Sequence, residues 1–343
     1  RKRQRHLSLT MKRAGRLMER ITHPDNLRES FLLVKRGKQR SHEALRFADS
    51  LDAELYRMAD ELRSGTYWFG SYHKFTIYDP KRRTICAAPF RDRVAMQAMM
   101  RICHPVFDNY QIYDSYASRV GKGTYKALER AQHYALRHEW FGKLDVRTYF
   151  YSISHEVMME QLGRLFKDKM LMSYFGQLMD SYHVEQGRGL PIGNLTSQYF
   201  ANHHLAEADH HAKEQLKVRC MVRYMDDILF FADNREELDD AISGYASYAE
   251  DRLRLSMHEP VVNRCKAGVP FLGYVVHGRR VSLSQRSRSR FRCRLRSLRH
   301  DFEAGNIGER EYRERLTAVH SFVQKADAAP FMKGVIEKEG FLP

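Results

Sequence analysis

Two adjacent carboxylates, Asp226 and Asp227, interrupt an otherwise apolar stretch of the chain. The runs on either side of them, residues 218–224 and 228–232, are strand-prone, so the pattern predicts a β-hairpin with the acidic pair at its tip. Two like charges held side by side on a rigid hairpin repel each other unless a cation neutralises them. A divalent metal ion bound by carboxylate oxygens would do so. The alternative is a polar turn between two core strands, which needs no ligand.

A further candidate carboxylate, Asp145, lies in a short strand-like segment between Leu144 and Val146. Phe150 follows it closely, and a helix is predicted to begin near Ser154. A single aspartate at the end of a strand can equally well cap a turn or a helix. Its position upstream of the acidic hairpin makes it a candidate ligand for the same metal site.

The composition limits the class of partner. The chain carries 58 lysines and arginines against 42 aspartates and glutamates, and its formal net charge is +16. This excess favours a polyanion, nucleic acid first and an anionic membrane second. With 43% hydrophobic residues, the chain can bury a sizeable core as one multi-lobed enzyme or as two domains.

The expected compartment is the cytoplasm. No apolar run approaches the roughly 20 residues that span a bilayer, and none follows the basic N-terminus as a signal peptide would. The five cysteines are widely spaced and include no Cys-x-x-Cys pair. We therefore expect reduced thiols rather than a disulfide framework or a zinc knuckle.

Two basic segments in the N-terminal half are candidates for contact with phosphate groups. Residues 1–20 form a very basic arm, and residues 79–83 form the cationic tip of a hairpin predicted over residues 67–85. Either segment can instead be simply solvated. An arm on RNA needs only positive charge at flexible reach, and arginine at a hairpin tip matches the oxygens of a triphosphate.

A third basic segment, residues 279–299, contains no acidic residue. A purely solvated helix usually alternates its charges, so this segment is predicted to be a nucleic-acid-binding helix. We expect Arg286, Arg290 and Arg294 to contact nucleic acid. Phe291, Leu295 and Leu298 would form one narrow apolar stripe along the helix.

Two glycine-containing loops precede predicted helices. Gly121 and Gly123 would let backbone amides approach an anion, with Thr124 capping the following helix, although a lone Gly-x-Gly is a weak signal. Residues 187–198 form a Gly/Pro-rich loop that leads into a helix over residues 199–206. Such a loop can pass close beneath a planar base, and a plain surface loop is the alternative.

In their order along the chain, these segments resemble the sequence motifs of reverse transcriptases. The matching segments are residues 85–94, 115–124, 143–150, 189–205, 222–231 and 269–274. Within that family, residues 190–198 are similar to the enzymes of diversity-generating retroelements, because Ile192-Gly193 stands where group II intron and retroviral enzymes usually have Gln-Gly. Residues 75–81, 90–93 and 320–327 fit the same subfamily.

The resemblance implies an α+β right-hand polymerase with fingers, a palm built on an antiparallel sheet, and a small helical thumb. The implied boundaries are a basic N-terminal extension at 1–26, fingers at 27–120 and 153–186, palm at 121–152 and 187–277, and thumb at 278–343.

The resemblance also implies RNA-directed DNA polymerisation with two Mg²⁺ ions, for which Mn²⁺ can substitute. Asp145, Asp226 and Asp227 would be the catalytic metal ligands, with Val146 as a further metal-binding residue. Arg83 would clamp the incoming phosphates, and Phe150 would exclude a ribose 2′-hydroxyl. Ile192, Gly193 and Gln198 would complete the nucleotide-binding site.

The implied partners are a template-repeat RNA, the cDNA/RNA hybrid and a small basic oligomeric accessory variability protein. Such enzymes copy their template with frequent errors at adenines in mutagenic retrohoming. The alternatives are another bacterial reverse transcriptase, of the antiphage-defence or CRISPR-associated kind, and a non-catalytic RNA-binding protein.

Two features depart from the family pattern. The histidines at 203 and 204 stand where aliphatic residues or tyrosine are usual, and residues 257–266 show no clear match to the usual lysine, which leaves the general acid unassigned. A zinc site is a weaker hypothesis for the histidine-rich segment, whose candidate ligands are His203, His204, Asp209, His210 and His211.

Overall fold

The structure, a computed structural model, describes residues 12–36, 41–78, 82–323, 326, 328 and 331–335. Most of the basic arm, the loop at residues 37–40, the hairpin tip at residues 79–81 and part of the 320–327 segment lie outside the described residues. The chain divides into two compact units. The first comprises Arg1–Ile112, Val146–His210 and Ser247–Met257, and the second comprises Tyr113–Asp145, His211–Ala246 and His258–Pro343.

The described residues contain helices and strands in the following order. The helices are α1 Leu17–Ile21, α2 Pro24–Lys35, α3 His42–Asp49, α4 Leu51–Ser64, α5 Phe90–Tyr110, α6 Thr124–Ala135, α7 Tyr149–Ser152, α8 His155–Leu165, α9 Lys169–Asp180, α10 Leu195–His204, α11 Ala206–Glu214, α12 Arg235–Leu253, α13 Gln285–Glu303 and α14 Glu309–Val323. The strands are β1 His73–Tyr78, β2 Arg82–Ala87, β3 Trp140–Asp145, β4 Met221–Tyr224, β5 Asp227–Ala232, β6 Val261–Arg264, β7 Val269–Phe271, β8 Tyr274–Val276 and β9 Val281–Leu283.

The predicted α+β class with an antiparallel sheet is confirmed. Three antiparallel sheets occur among the described residues: the β1-β2 hairpin, a four-stranded sheet in the order β4-β5-β3-β6, and a three-stranded β7-β8-β9 sheet. The division into fingers, palm and thumb at the boundaries given above stays a prediction. None of the helices that the structure describes is both long and apolar enough to cross a membrane.

Helix α5 forms the centre of the first unit. Its apolar residues occupy most of its circumference, and it packs against α2 and α10. Near its start, the buried carboxylate of Asp92 accepts hydrogen bonds from the Tyr67 hydroxyl at 2.8 Å and the Gly70 amide at 2.7 Å. The helix runs from Phe90 to Tyr110 and accommodates Pro105 within its length.

The four-stranded sheet organises the second unit. Its two central strands, β5 and β3, are nearly continuous apolar runs, and α6 packs against β4 and β5. A single buried apolar cluster continues from this sheet to the three-stranded sheet and to α13. The predicted stripe of Phe291, Leu295 and Leu298 lies in the buried face of α13, as expected for an amphipathic helix.

Two predicted helices differ in detail. The apolar residues of 44–62 recur at helical spacing and predict a helix there. The structure has two helices instead, because Ser50 ends α3 and precedes α4 with a φ of −123°. Thr124 does not cap α6. Gly123 occupies that position with a φ of 101°, and the Thr124 hydroxyl donates a hydrogen bond to the Tyr224 hydroxyl at 3.4 Å.

Gly142 in β3 allows α12 to approach the sheet, because an added Cβ would overlap the Cδ1 atom of Ile242. We therefore expect Gly142→Ala to lower the free energy of unfolding by about 1–3 kcal/mol, the usual penalty of overpacking. Thermal or denaturant unfolding measures it.

Gly163 provides the matched control. It lies inside α8, and no described atom is within 4 Å of an added Cβ, apart from its chain neighbours and the backbone of its own helix. Gly163→Ala should raise stability by about 0.5–1 kcal/mol, because alanine has the higher helix propensity. Equal changes in the free energy of unfolding for the two substitutions would show that the close packing of α12 on Gly142 does not require glycine at this position.

Candidate active site

The predicted hairpin has a two-residue turn that contains Asp226, and Asp227 is the first residue of the strand that follows. Tyr224 pairs with Asp227 across β4 and β5, so Met225 and Asp226 connect the strands. Met225 has a φ of 55°, a left-handed conformation that costs a residue other than glycine about 1–2 kcal/mol. The fully buried Arg223 donates a hydrogen bond from Nη1 to the Met225 carbonyl at 3.1 Å. The Arg223 side chain therefore stabilises the turn in its strained conformation.

The third predicted carboxylate lies directly beside this turn. Asp145, the last residue of β3, is the register partner of Asp227 on β5. Directly paired residues point to the same face of a sheet, with Cα atoms about 4.5–5.5 Å apart. The structure thus places Asp145 and Asp227 on one face, with Asp226 adjacent in the turn.

Lys143 is the immediate counter-ion of Asp227. Its Nζ atom lies 3.1 Å from both carboxylate oxygens, but only Oδ2 accepts a hydrogen bond from it. The same ammonium group lies 3.5 Å from the Pro270 carbonyl of β7. The other oxygen, Oδ1 of Asp227, is buried and has no hydrogen-bond partner among the described residues.

The surroundings of Asp227 change its pKa. Its pKa is raised from 3.8 to about 6, mainly because burial disfavours the charged form. The ammonium group of Lys143 opposes the shift, and the carboxylates of Asp145 and Asp226 add to it. A second cation at this position would relieve the repulsion.

The residues present fit a magnesium site that is completed by substrate. Three carboxylates supply the hard oxygen ligands that Mg²⁺ prefers, and Oδ1 of Asp227 lacks another partner within the described part of the chain. In the same part of the chain, no three His, Cys, Asp or Glu side chains form a group that could hold a metal ion by themselves, so the site would need further ligands. Mg²⁺ commonly uses one or two carboxylates and takes its remaining ligands from water and phosphates.

Predicted nucleotide-binding residues meet in the first unit. The Ile192 carbonyl accepts a hydrogen bond from the Cys86 amide of β2 at 2.8 Å. Gly193 has a φ of 113°, and an added Cβ would lie 2.9 Å from Cγ2 of Ile85, so only glycine fits this close approach. Arg83 is exposed on β2 and projects from the same face as Ile85, two residues away.

Phe150 belongs to the same group. It lies in the short helix α7, and its carbonyl accepts a hydrogen bond from the Leu190 amide at 2.7 Å. Gln198 is exposed on α10, and the buried Val146 forms an isolated β-bridge with Met257. The structure therefore brings Phe150, Ile192 and Gly193 to one loop, and it places Gln198 on the helix that follows this loop.

The predicted nucleic-acid-binding arginines share one side of α13. Arg286, Arg290 and Arg294 recur at every fourth position and therefore follow one stripe of the helix. A cavity of about 350 Å³ lies beside the last two of them. Its lining consists of Leu272, Gly273, Ser287, Arg290, Phe291, Arg294, Ala318 and Val319.

Two weaker hypotheses are wrong. The Gly123 amide donates to the Tyr116 carbonyl at 2.9 Å, so it does not face an anion. The histidines pack individually: His203 contacts the ring of Phe107, and Nδ1 of His204 lies 2.8 Å from Oε1 of Gln161. Burial lowers the pKa of His204 to about 4. No metal-binding group is formed by these histidines in the described residues.

The sequence reasoning missed Lys143 and Arg223. Lys143 lies two residues before Asp145 in a strand, and strand side chains at that spacing share a face, so the alternation did contain the signal. Arg223 interrupts an apolar strand, which indicates a buried charge with a defined partner.

Comparisons with known proteins place the chain in a family. Residues 74–276, more than half of the chain, match the family model described as reverse transcriptase (RNA-dependent DNA polymerase). The chain is 24% identical over 224 residues to Protein YkfC of Escherichia coli (strain K12), which covers 59% of this chain and 58% of that protein. It is 25% identical over 157 residues to the COX1/OXI3 intron 1 protein of Saccharomyces cerevisiae, which covers 43% of this chain and 19% of that protein.

Among solved structures, apo telomerase from Candida tropicalis aligns with a TM-score of 0.48 and 11% identity, covering 63% of this chain and 49% of that chain. The chain thus spans less than two thirds of the length of each of these relatives.

The raised pKa of Asp227 makes a pH-dependent prediction. The folded protein holds this proton more tightly than the unfolded chain, so the stability contributed by the proton is lost as the pH rises through about 6. Mg²⁺ competes with the same proton. We therefore expect Mg²⁺ to raise the melting temperature more at about pH 7.5 than at about pH 5.5.

Two variants check the assignment. Asp227→Asn should make the Mg²⁺ effect independent of pH. Lys143→Met removes the charge that lowers the pKa of Asp227, so the pH at which Mg²⁺ begins to stabilise the protein should move upward. An Mg²⁺ effect of equal size at both pH values in the unmodified chain would contradict the assignment.

Proposed function

The chain belongs to the reverse transcriptase family, and on that premise we propose that it copies an RNA template into DNA by metal-dependent nucleotidyl transfer. The observation that carries the proposal is the pairing of Asp145 with Asp227, with Asp226 in the adjoining strained turn. Family membership alone gives the fold. The three carboxylates, which lie together at the ends of the central strands β3 and β5, would bind the metal ions that the reaction needs.

The metal ions, when bound by Asp145, Asp226 and Asp227, would activate the primer 3′-hydroxyl and neutralise the triphosphate and the leaving pyrophosphate. The chain's own residues do the positioning. Lys143 holds Asp227 on the shared face, and Arg223 fixes the turn that carries Asp226. Val146 follows Asp145 directly and would complete the metal-binding residues.

The first unit supplies the proposed nucleotide-binding residues. The aromatic ring of Phe150 would occupy the space that a ribose 2′-hydroxyl needs, and so would select deoxynucleotides. Gly193 brings backbone close to β2, and Ile192 beside it would form an apolar floor under the templating pair. Arg83 on β2 would contact the incoming phosphates, because its guanidinium matches two phosphate oxygens at once.

The thumb would grip the product duplex. Arg286, Arg290 and Arg294 form a stripe of positive charge that follows one side of α13. Contacts of this kind bind the phosphate backbone without reading its sequence. The duplex would be the cDNA/RNA hybrid.

We further propose that the enzyme serves a diversity-generating retroelement. Ile192-Gly193 in place of Gln-Gly supports this subfamily. The template would then be a template-repeat RNA copied with adenine-biased errors, and the partner would be a small basic oligomeric accessory variability protein. A neighbouring pair of template and variable repeats that differ only at adenines would distinguish this enzyme from antiphage-defence and CRISPR-associated reverse transcriptases.

Asp226→Asn tests the activity itself. Removing one metal-binding carboxylate should lower dNTP incorporation on a primed RNA template by about 100- to 1000-fold, the usual effect of losing one group that stabilises transition-state charge. Binding of the RNA template should remain, because the thumb and fingers are unchanged. Primer extension with Mg²⁺ and fluorescence anisotropy measure the two properties.

Asp233→Asn is the matched control, since Asp233 follows the other end of β5 and its side chain is 71% exposed. It should retain full activity. Undiminished incorporation by Asp226→Asn would show that Asp226 is not a catalytic metal ligand. A lack of incorporation by the unmodified chain, with RNA binding retained, would identify the chain as a non-catalytic RNA-binding protein.

Ile192→Gln tests the origin of low fidelity. Glutamine would restore a hydrogen-bonding group near the nascent base pair, and one such bond contributes about 1 kcal/mol, or about fivefold in discrimination. Misincorporation opposite template adenine should fall by about that factor when the cDNA is sequenced. Ile192→Leu keeps the site apolar and should leave the error spectrum unchanged. A glutamine variant with the original spectrum would show that this residue does not set fidelity.

A further inference from the structure

Tyr113 is an exposed aromatic residue that the proposed polymerase chemistry does not use. Its surface is 70% exposed, although the Lys122 ammonium lies over one face of its ring at 3.6 Å from the centroid. The 70% exposure shows that much of the side chain remains open to solvent despite this contact. A large aromatic face open to solvent on a basic protein is the kind of surface on which a nucleobase stacks.

Two cationic side chains, those of Lys122 and Arg130, lie near the Tyr113 ring. Lys122 donates a hydrogen bond to the Tyr113 carbonyl at 2.9 Å and also lies over the ring of Tyr116 at 4.7 Å. The guanidinium of Arg130 lies 5.6 Å from the ring centroid of Tyr113 and 4.5 Å from that of Tyr134. Two cations thus brace the aromatic side chain and add positive charge next to it.

A buried carboxylate fixes one of these cations, Arg130. Asp114 is 4% exposed and accepts hydrogen bonds from Arg130 Nε at 2.8 Å and from Lys213 Nζ at 3.2 Å. The backbone around it continues the sheet, because the Asp114 carbonyl accepts from the Arg223 amide at 2.9 Å. Arg130, which lies near the Tyr113 ring, is therefore held in place without a ligand, and a preformed contact of this kind lowers the entropic cost of binding.

The loop at residues 120–123, which precedes α6, is open to solvent. Val120 is 83% exposed, and among the described residues nothing lies within 4 Å of a Cβ added at Gly121 or Gly123, apart from their chain neighbours. A nucleotide chain can therefore pass next to the ring without meeting a side chain at either glycine. The positive φ values of 72° and 101° explain why glycine occupies both positions.

We propose that Tyr113, backed by Lys122 and Arg130, is a stacking platform for an unpaired base of single-stranded RNA. Stacking on tyrosine tolerates any base, and the adjacent cations attract the phosphate backbone, so the site would bind unpaired RNA without sequence preference. The assignment to template RNA rests on the proposed function. RNA binding itself can be measured without catalysis.

The test compares affinities of the full chain for a short unstructured RNA and for a blunt RNA/DNA duplex, in EDTA so that no turnover occurs. Tyr113→Ala should weaken binding of the single strand by about 10-fold and leave duplex binding unchanged. Tyr113→Phe should bind like the unmodified chain, because the ring is retained. Tyr56→Ala should have no effect, since Tyr56 is a comparably exposed tyrosine, at 78%, in α4.

A second readout reports contact directly. RNA containing 5-iodouracil should cross-link under ultraviolet light to a peptide that contains Tyr113. If the unmodified chain showed no polymerase activity, the proposed function would be overturned, but this site would not. Unchanged single-strand affinity of Tyr113→Ala, or cross-links confined to other peptides, would overturn the platform, and tighter Tyr113-dependent binding of the DNA version of the oligomer would overturn its assignment to RNA.

Discussion

The pairing of Asp145 with Asp227 is the interaction on which the rest of the structure depends. Like charges placed directly opposite each other destabilise an antiparallel sheet, and here the pair is half-buried, which increases the repulsion. The sheet compensates through its other residues. Strands β3 and β5 are apolar and buried along most of their length, Gly142 lets α12 pack closely, and Lys143 offsets one of the two charges. The site remains short of positive charge, which prepares it for a cation.

A buried ionic framework keeps the acidic turn in place. The Arg223 side chain donates a hydrogen bond to the Met225 carbonyl. Its backbone amide donates to the Asp114 carbonyl, and its backbone carbonyl accepts from the Tyr116 amide. The carboxylate of Asp114 is in turn held by Arg130 and Lys213. Buried ion pairs contribute little net stability, because desolvation offsets their attraction, but removing one partner leaves a charge that is costly to bury. We infer that this framework mainly selects one geometry for the strained turn, so that Asp226 cannot relax away from its neighbours.

The sequence predicted the parts of this arrangement that repeat along the chain. The alternation of apolar runs around Asp226 gave the hairpin, and the spacing of Phe291, Leu295 and Leu298 gave the buried stripe of α13. It could not show which residues pair across strands, so Lys143 was not recognised as the counter-ion of Asp227. The break at Ser50 was missed because the apolar period continues through it, and a clustering of histidines along the chain suggested ligands that folding directs to separate neighbours.

Net charge alone does not locate the surface that binds a polyanion, because arginine has three different roles in this chain. Arg223 is internal, and the half-buried Arg130 pairs with the buried carboxylate of Asp114. In α14, arginines alternate with glutamates and form three i,i+4 ion pairs, so that helix neutralises much of its own charge. Helix α13 has no acidic residue before Asp301, so its field is uniformly positive over most of its length. An anionic backbone gains far more from such a field than from a helix of balanced charge. This favours α13, with seven arginines, rather than α14, with three arginines that are each paired with a glutamate, as the element that binds nucleic acid.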